Sequence, residues 1–257
     1  MPRRDPSQPD GAMVISEVLA AAEPRPTRGA SPSIKNQYAV RFADAIARRI
    51  ALHLQDRLPG IEASARRAAG SVMGTKQLDV NFSSPQLGLA LGLSLKSVHI
   101  RDVGGAGRYT HNMKRNEEEL RIEAYGYHKR QPYAVMAGVL FLPFDSCDDA
   151  RSRNPSSFGS WVRHLRPYTG REKPTDEFDR FEKVYVGLYE PDGTDLRFFD
   201  VALAPPKQGR PANLLDYASF LDAVYLAYTK RNQADFRWAS GDEEPVPTDS
   251  ETDSDEN

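Results

Sequence analysis

The stretch LDVNFSSPQLGLALGLSLKS, residues 78–97, reads as two strands joined by a Ser-Ser-Pro-Gln turn. Side chains alternate between the two faces of a strand. In the first strand Leu78, Val80 and Phe82 share one face, and Asp79 and Asn81 the other. In the second, Leu89, Leu91, Leu93 and Leu95 point one way, and Ala90, Gly92, Ser94 and Lys96 the other. A carboxylate and an ammonium thus lie on the polar face at the open end of one hairpin. After Lys96 the phase slips, with Ser97 and His99 polar and Val98 and Ile100 apolar. A bulge or a sharp twist is expected there.

Working outward, IKNQYAVRFADAIARRIALHLQDRL (34–58) repeats an apolar residue every four positions, from Ile34 to Leu54, and predicts a long helix stopped by Pro59-Gly60. IEASARRAAG (61–70) reads as a short second helix. Beyond the hairpin, a Gly-rich loop leads into a helix over about 114–129. PYAVMAGVLFLPF (132–144) is nearly continuously apolar, as a central buried strand is. A helix ended by Gly170 follows, then two strands around Pro191-Asp192-Gly193, then a helix over 213–231 with Asn213 as its cap. This order predicts an α/β fold, a mixed central sheet flanked by helices. The domain is expected over 34–238. Residues 1–33, rich in Pro, Arg, Ser and Ala, read as a disordered segment with room for a short helix at AMVISEVLAAA. Residues 239–257 read as an acidic disordered tail.

The 257 residues suffice for one sizeable core. No apolar run approaches the roughly 20 residues that span a membrane, so no membrane partner is expected. The single cysteine, Cys147, and an N-terminus without a secretory pattern point to the cytoplasm. Net charge is -2, but residues 242–257 hold eight acids and no base. The remaining 34 basic and 28 acidic residues make a body of about +6, suited to a polyanion.

Asp79 and Lys96 admit two readings. One is a cross-strand ion pair at a sheet rim. The other is a site where an Asp holds a divalent ion and a Lys steadies a phosphate or the attacking water. The second needs more acid, and the natural position, two residues before Lys96 on its face, is Ser94. The next helix supplies candidates: Asn116, Glu119 and Glu123 form one stripe, with Arg115 placed to offset Glu119.

In these residues the chain resembles the PD-(D/E)XK nuclease superfamily, with its restriction-endonuclease-like core. That family carries an Asp on one strand and an acid-x-Lys on its hairpin partner, here Asp79 and Ser94-Leu95-Lys96. One subgroup has Ser in place of the acid and its Glu on the next helix, within an Asn…Arg-x-Glu-Ala segment. NEEELRIEA, from Asn116 to Ala124, looks like that segment. The resemblance spans about residues 75–143. It departs from the pattern at Leu78, where Pro is usual, and in a longer loop between Lys96 and Glu123. It implies Mg²⁺-dependent (or Mn²⁺-dependent) cleavage of double-stranded DNA, often by a homodimer. It also implies catalytic roles for Asp79, Lys96, Glu123 and Ser94, and metal ligation by Asp79, Glu123 and Glu119. Arg101 and Asp102 fall where that subgroup reads bases.

Arg108, Lys114 and Arg115, in and after the Gly-rich loop, are further candidate DNA contacts; an ordinary surface loop is the plainer reading. No P-loop follows the glycines, and no Cys/His spacing suggests zinc. Of the five histidines, His99, His111 and His128 flank the proposed site. The expectation is a restriction-type or defence endonuclease, with a cognate methyltransferase or other defence partner. Its competitors are a catalytically inactive nuclease-fold module that binds DNA or regulates, and an unrelated α/β interaction protein.

Overall fold

The computed structural model describes residues 9–63, 78–84, 88–101 and 107–232. Among them six strands form one mixed sheet in chain order: β1 (Glu62–Ala63), β2 (Val80–Ser84), β3 (Gly88–Ser97), β4 (Val135–Pro143), β5 (Lys183–Tyr189) and β6 (Leu196–Asp200). The first three run antiparallel. β3, β4 and β5 are parallel, and β6 returns antiparallel. Helices α1 (Gly11–Ala22), α2 (Pro32–Leu54) and α5 (Tyr217–Arg231) cover one face. The crossover helices α3 (Met113–Arg130) and α4 (Ser157–Leu165) cover the other. The protein is therefore an α/β fold with a mixed sheet between helices.

β4 shows why the sheet must be covered twice. Val135, Ala137, Val139 and Phe141 enter one core, and Met136, Leu140 and Leu142 the other, so every residue of the strand is buried. α2 is capped by the Ser31 hydroxyl, which accepts from Ile34 N, with Pro32 in its first turn. Of its expected apolar stripe Tyr38, Phe42, Ile46, Ile50 and Leu54 are buried, whereas Ile34 is exposed.

The hairpin differs in phase from its expected pattern. The register shifts between Phe82 and Ser83, which pair with Leu91 and Leu89, so Ala90 is the extra residue. The shift sends Leu89 into the α3–α4 core while Leu91, Leu93 and Leu95 stay in the α2 core; Leu78, just ahead of β2, also packs on the α3 side. No bulge follows Lys96: β3 keeps register with β4 through Ser97–Phe141, and Val98 N then donates to Phe141 O.

Other expectations need correction. Residues 11–22, placed in the disordered N-terminal segment, form α1, whose Val14, Ile15, Val18 and Ala22 are buried, so the packed domain begins before residue 34. Glu62 and Ala63, read as helix, are an edge strand pairing with Asn81 and Val80; the rest of that reading, residues 64–70, lies outside the described residues. Asp216, not Asn213, caps α5 by accepting from Ser219 N. Ser83 and Ser84, read as turn, end β2; Pro85 and Gln86 of that turn, the glycines of the Gly-rich loop up to residue 106, and the acidic tail also lie outside the described residues. Among the described residues no helix is long and apolar enough to cross a membrane.

Candidate active site

Asp79 sits one residue before β2 and Lys96 one before the end of β3. The Asp79 amide donates to Leu93 O (3.1 Å), and its Oδ2 accepts from Leu95 N (2.6 Å). The carboxylate is thereby fixed across the hairpin by backbone. Burial lifts its pKa from 3.8 to about 6, and the neighbouring charges of Glu123 and Asp44 add to this, against the lowering by the Leu95 amide and Lys96.

Lys96 finds its ion pairs on α3. Its Nζ lies 3.0 Å from Glu123 Oε1 and 3.6 Å from Glu119 Oε2. Burial pulls the ammonium toward neutrality, but Glu123, with Asp79 and Glu119, more than offsets this and raises its pKa. Lys96 is a fixed cation at any working pH. Glu123, only 5% exposed, also accepts a short hydrogen bond from the Ser94 hydroxyl through Oε2. α3 brings it there because Leu120, Ala124 and Tyr127 anchor the helix in the core on either side. Glu119, one turn earlier and more exposed, pairs with Arg115 (2.9 Å), as the i, i+4 spacing suggests.

The four residues Asp79, Ser94, Lys96 and Glu123 thus form one cluster. Asp79, Lys96 and Glu119 open onto a cleft of about 790 Å³. Its far wall is the first half of α2, including Lys35, Ala39, Val40, Ala43 and Asp44. Nothing local in the sequence marks this wall. Its residues repeat at three- and four-residue intervals, but they precede Asp79 by 35 positions or more. His99 explains how the wall is set. It packs against Tyr38 and Phe42, with ring centroids 4.9 and 4.4 Å away, and its Nδ1 meets the Tyr189 hydroxyl at 2.8 Å. Burial lowers its pKa to about 3, so it is a neutral brace between α2 and the sheet.

The expected DNA contacts divide. Arg101 and Arg115 line the cleft. Arg101 is fixed by Asp145 (2.7 Å) and lies over the Tyr109 ring, 5.3 Å from its centroid. Arg108 is turned inward instead: its Nη2 donates to Pro155 O and Ser160 Oγ, tying its segment to the start of α4. Its place in a Gly-rich stretch hid this role. Lys114 is exposed and faces Glu118 at 3.8 Å, outside the cleft lining. Asp102 lies outside the described residues. His111 lines the cleft, whereas His128 is buried in a separate cluster with Glu182 and Phe178 O. The Cys147 thiol is buried and pushed up to about 12, an unreactive core residue.

Carboxylate oxygens are the donors a hard divalent cation takes. Asp79, Glu119 and Glu123 are the carboxylates that could contribute to one, and a cation beside Asp79 would offset the desolvation that raises its pKa. Among the described residues no group of three or more His, Cys, Asp or Glu side chains stands ready-made as a metal centre. No protein-family model, curated protein or solved structure matches this chain.

Proposed function

We propose that this protein is a divalent-metal-dependent DNA endonuclease of the restriction or defence type, resembling the PD-(D/E)XK nucleases. One observation carries the reading. The resemblance implies that Glu123 replaces the acid missing at Ser94, and Glu123 Oε2 accepts a hydrogen bond from the Ser94 hydroxyl while its other oxygen holds Lys96. On this reading the acid is carried by α3 and meets Ser94 from there. Further support comes from Asp79 and Lys96, which lie on antiparallel partners as in that family.

Asp79 and Glu123, with Glu119 beside them, would hold a Mg²⁺ or Mn²⁺ ion, which would supply Lewis-acid polarisation of the phosphate. Lys96, kept cationic by its acids, stabilises charge developing on the phosphate oxygens and orients the attacking water; it does not act as a base. Ser94 holds the Glu123 carboxylate in one orientation, and the Leu95 amide does the same for Asp79. A homodimer, a cytoplasmic setting and a cognate methyltransferase or defence partner accompany this reading as parts of the proposal.

A second reading is a catalytically inactive module. It is favoured by the self-sufficiency of the cluster, in which both Glu123 oxygens and the Lys96 ammonium already have partners. Mixed plasmid and phage DNA incubated with the full chain, in Mg²⁺ or EDTA, beside Asp79→Asn, separates the two. Discrete Mg²⁺-dependent fragments, lost in the variant, are expected. No cleavage on any DNA would leave the inactive module.

A further inference from the structure

α3 turns one face into the core and leaves another exposed. Leu120, Ala124 and Tyr127 are buried, whereas Lys114, Glu118, Ile122, Tyr125 and Lys129 are exposed. The exposed set recurs at intervals of four, four, three and four, so it forms one stripe along the helix. The ends of the stripe are charged and its centre is not. Ile122 is 48% exposed and Tyr125 38%. Beside them the half-buried Phe178 sets its ring against Tyr125, with centroids 6.3 Å apart. A groove of about 590 Å³ lies between this stripe and residues 177–179. Single exposed apolar residues need no account, but a contiguous group along a groove marks a contact surface.

The charges around this centre decide its partner. Glu177 pairs with Arg180 (2.6 Å) and Asp179 with Arg121 (2.8 Å), so both acids of the groove's far side are answered within the chain. Glu118 and Lys129 are held more loosely. Glu118 faces the exposed Lys114 at 3.8 Å, and Lys129 lies over Tyr125 and Phe178, 5.8 and 6.0 Å from the ring centroids. Glu118 stands four residues before Ile122, and Lys129 four after Tyr125. The stripe is thus symmetric in spacing and opposite in sign about the midpoint of Ile122 and Tyr125. Two such helices laid antiparallel, with a twofold axis through that midpoint, bring Ile122 onto the partner's Tyr125. They also set Glu118 against the partner's Lys129, and each contact occurs twice. A surface that is its own complement is what a closed dimer requires. The three-and-four spacing is that of helices packed side by side.

We propose that the exposed face of α3 is a homodimer interface, with two copies packed antiparallel through Ile122 and Tyr125 and held in register by Glu118–Lys129 pairs. The homodimer that accompanies the nuclease reading thereby gains a location; the choice of a second copy rests on that reading and on the self-complementary charges. No residue of the stripe lines the cleft, so the interface takes none of the residues around the Asp79–Lys96 cluster.

Sedimentation velocity of the full chain without DNA, from about 1 to 100 μM, reads the oligomeric state. A dimer is expected to form within this range, and Ile122→Lys should leave a monomer. Glu118→Lys sets like charges face to face at both ends of the interface and should raise the dissociation constant at least about tenfold; Lys129→Glu should do the same. Combining Glu118→Lys with Lys129→Glu restores opposite charges and should regain most of the wild-type affinity, which a merely structural role of either residue would not allow. Urea unfolding followed by Trp161 fluorescence checks that each variant keeps the fold. A monomer at every concentration, a dimer that Ile122→Lys leaves intact, or a double variant no better than the single ones would each overturn the proposal. The two readings fail separately. Duplex cleavage by a monomer would remove the interface and leave the nuclease, and a dimer in this register that cuts no DNA would do the reverse.

Discussion

Asp79→Asn should make the protein more stable while abolishing cleavage. Burial lifts the Asp79 carboxyl from 3.8 to about 6, so the folded protein holds this proton more tightly than the unfolded chain does. The sign follows by linkage. Above pH 6 the ionised carboxylate opposes folding, and below about 3.8 the penalty vanishes. At about 1.36 kcal/mol per pH unit, the full penalty at pH 8 is about 3 kcal/mol. At pH 4 it falls to about 0.5 kcal/mol. Asparagine carries no charge, and its carbonyl oxygen can still accept from Leu95 N, so the hairpin keeps its cross-strand bond. Urea unfolding followed by fluorescence of the buried Trp161 measures the difference at pH 8 and pH 4. The expected result is a gain of about 3 kcal/mol at the higher pH that largely disappears at the lower. Equal or lower stability at pH 8, or a gain independent of pH, would refute the reasoning. Mg²⁺ should raise the unfolding midpoint of the wild type by mass action and leave the variant nearly unmoved.

Two further substitutions test the buried charges. Arg171→Met should destabilise by about 3 kcal/mol, because Arg171 Nη1 lies 2.7 Å from the buried Glu182 and its removal strips that carboxylate of a main partner. Arg231 (2.9 Å) and the Met136 amide remain, and a companion Glu182→Met change should recover much of the loss by chemical denaturation. Ser94→Asp places a second carboxylate against Glu123 and should destabilise by about 2 kcal/mol at pH 8. Adding Glu123→Gln should restore stability, with Lys96 paired to the new Asp and to Glu119. A double variant no more stable than Ser94→Asp alone would show that positions 94 and 123 do not share one site.

Elements with a strong period could be read from the sequence. β4 announces itself by an unbroken apolar run, and α3 and α5 by helical spacing and terminal basic residues. β1 could not be read, because two residues at a sheet edge in an Ala-rich stretch carry no alternation, and pairing with β2 alone makes them a strand. The face of Leu89 was misassigned because the one-residue bulge at Ala90 sets it on the face opposite to Leu91, and that of Leu78 because it lies ahead of β2, outside the strand's alternation. In the site, alternation placed Asp79, Ser94 and Lys96 on one face, and the helical stripe offered Glu119 and Glu123. What no local pattern conveys is which stripe of a distant helix faces the hairpin. The α2 wall, with Asp44 opposite Asp79, is a product of tertiary packing through His99.

On the proposed reading, carrying the acid on α3 rather than on β3 has a mechanical consequence. A carboxylate at position 94 would be fixed by the ladder that joins β3 to β2 and β4. Glu123 is fixed only as well as α3 is docked, through Leu120, Ala124 and Tyr127 on the core side and the Ser94 hydroxyl at its tip. Lys96 then belongs to two elements at once, as a strand residue whose charge is balanced by a helix. The His128–Glu182–Arg171 cluster lies at the C-terminal end of the same helix and ties it to the start of β5. Loosening that cluster is expected to loosen the docking of α3, and with it the Glu123–Lys96 pair at 3.0 Å, without any change in the site's own residues. On the proposed reading, the site's geometry is therefore coupled to packing at the C-terminal end of α3, a dependence that an acid carried by β3 would not have.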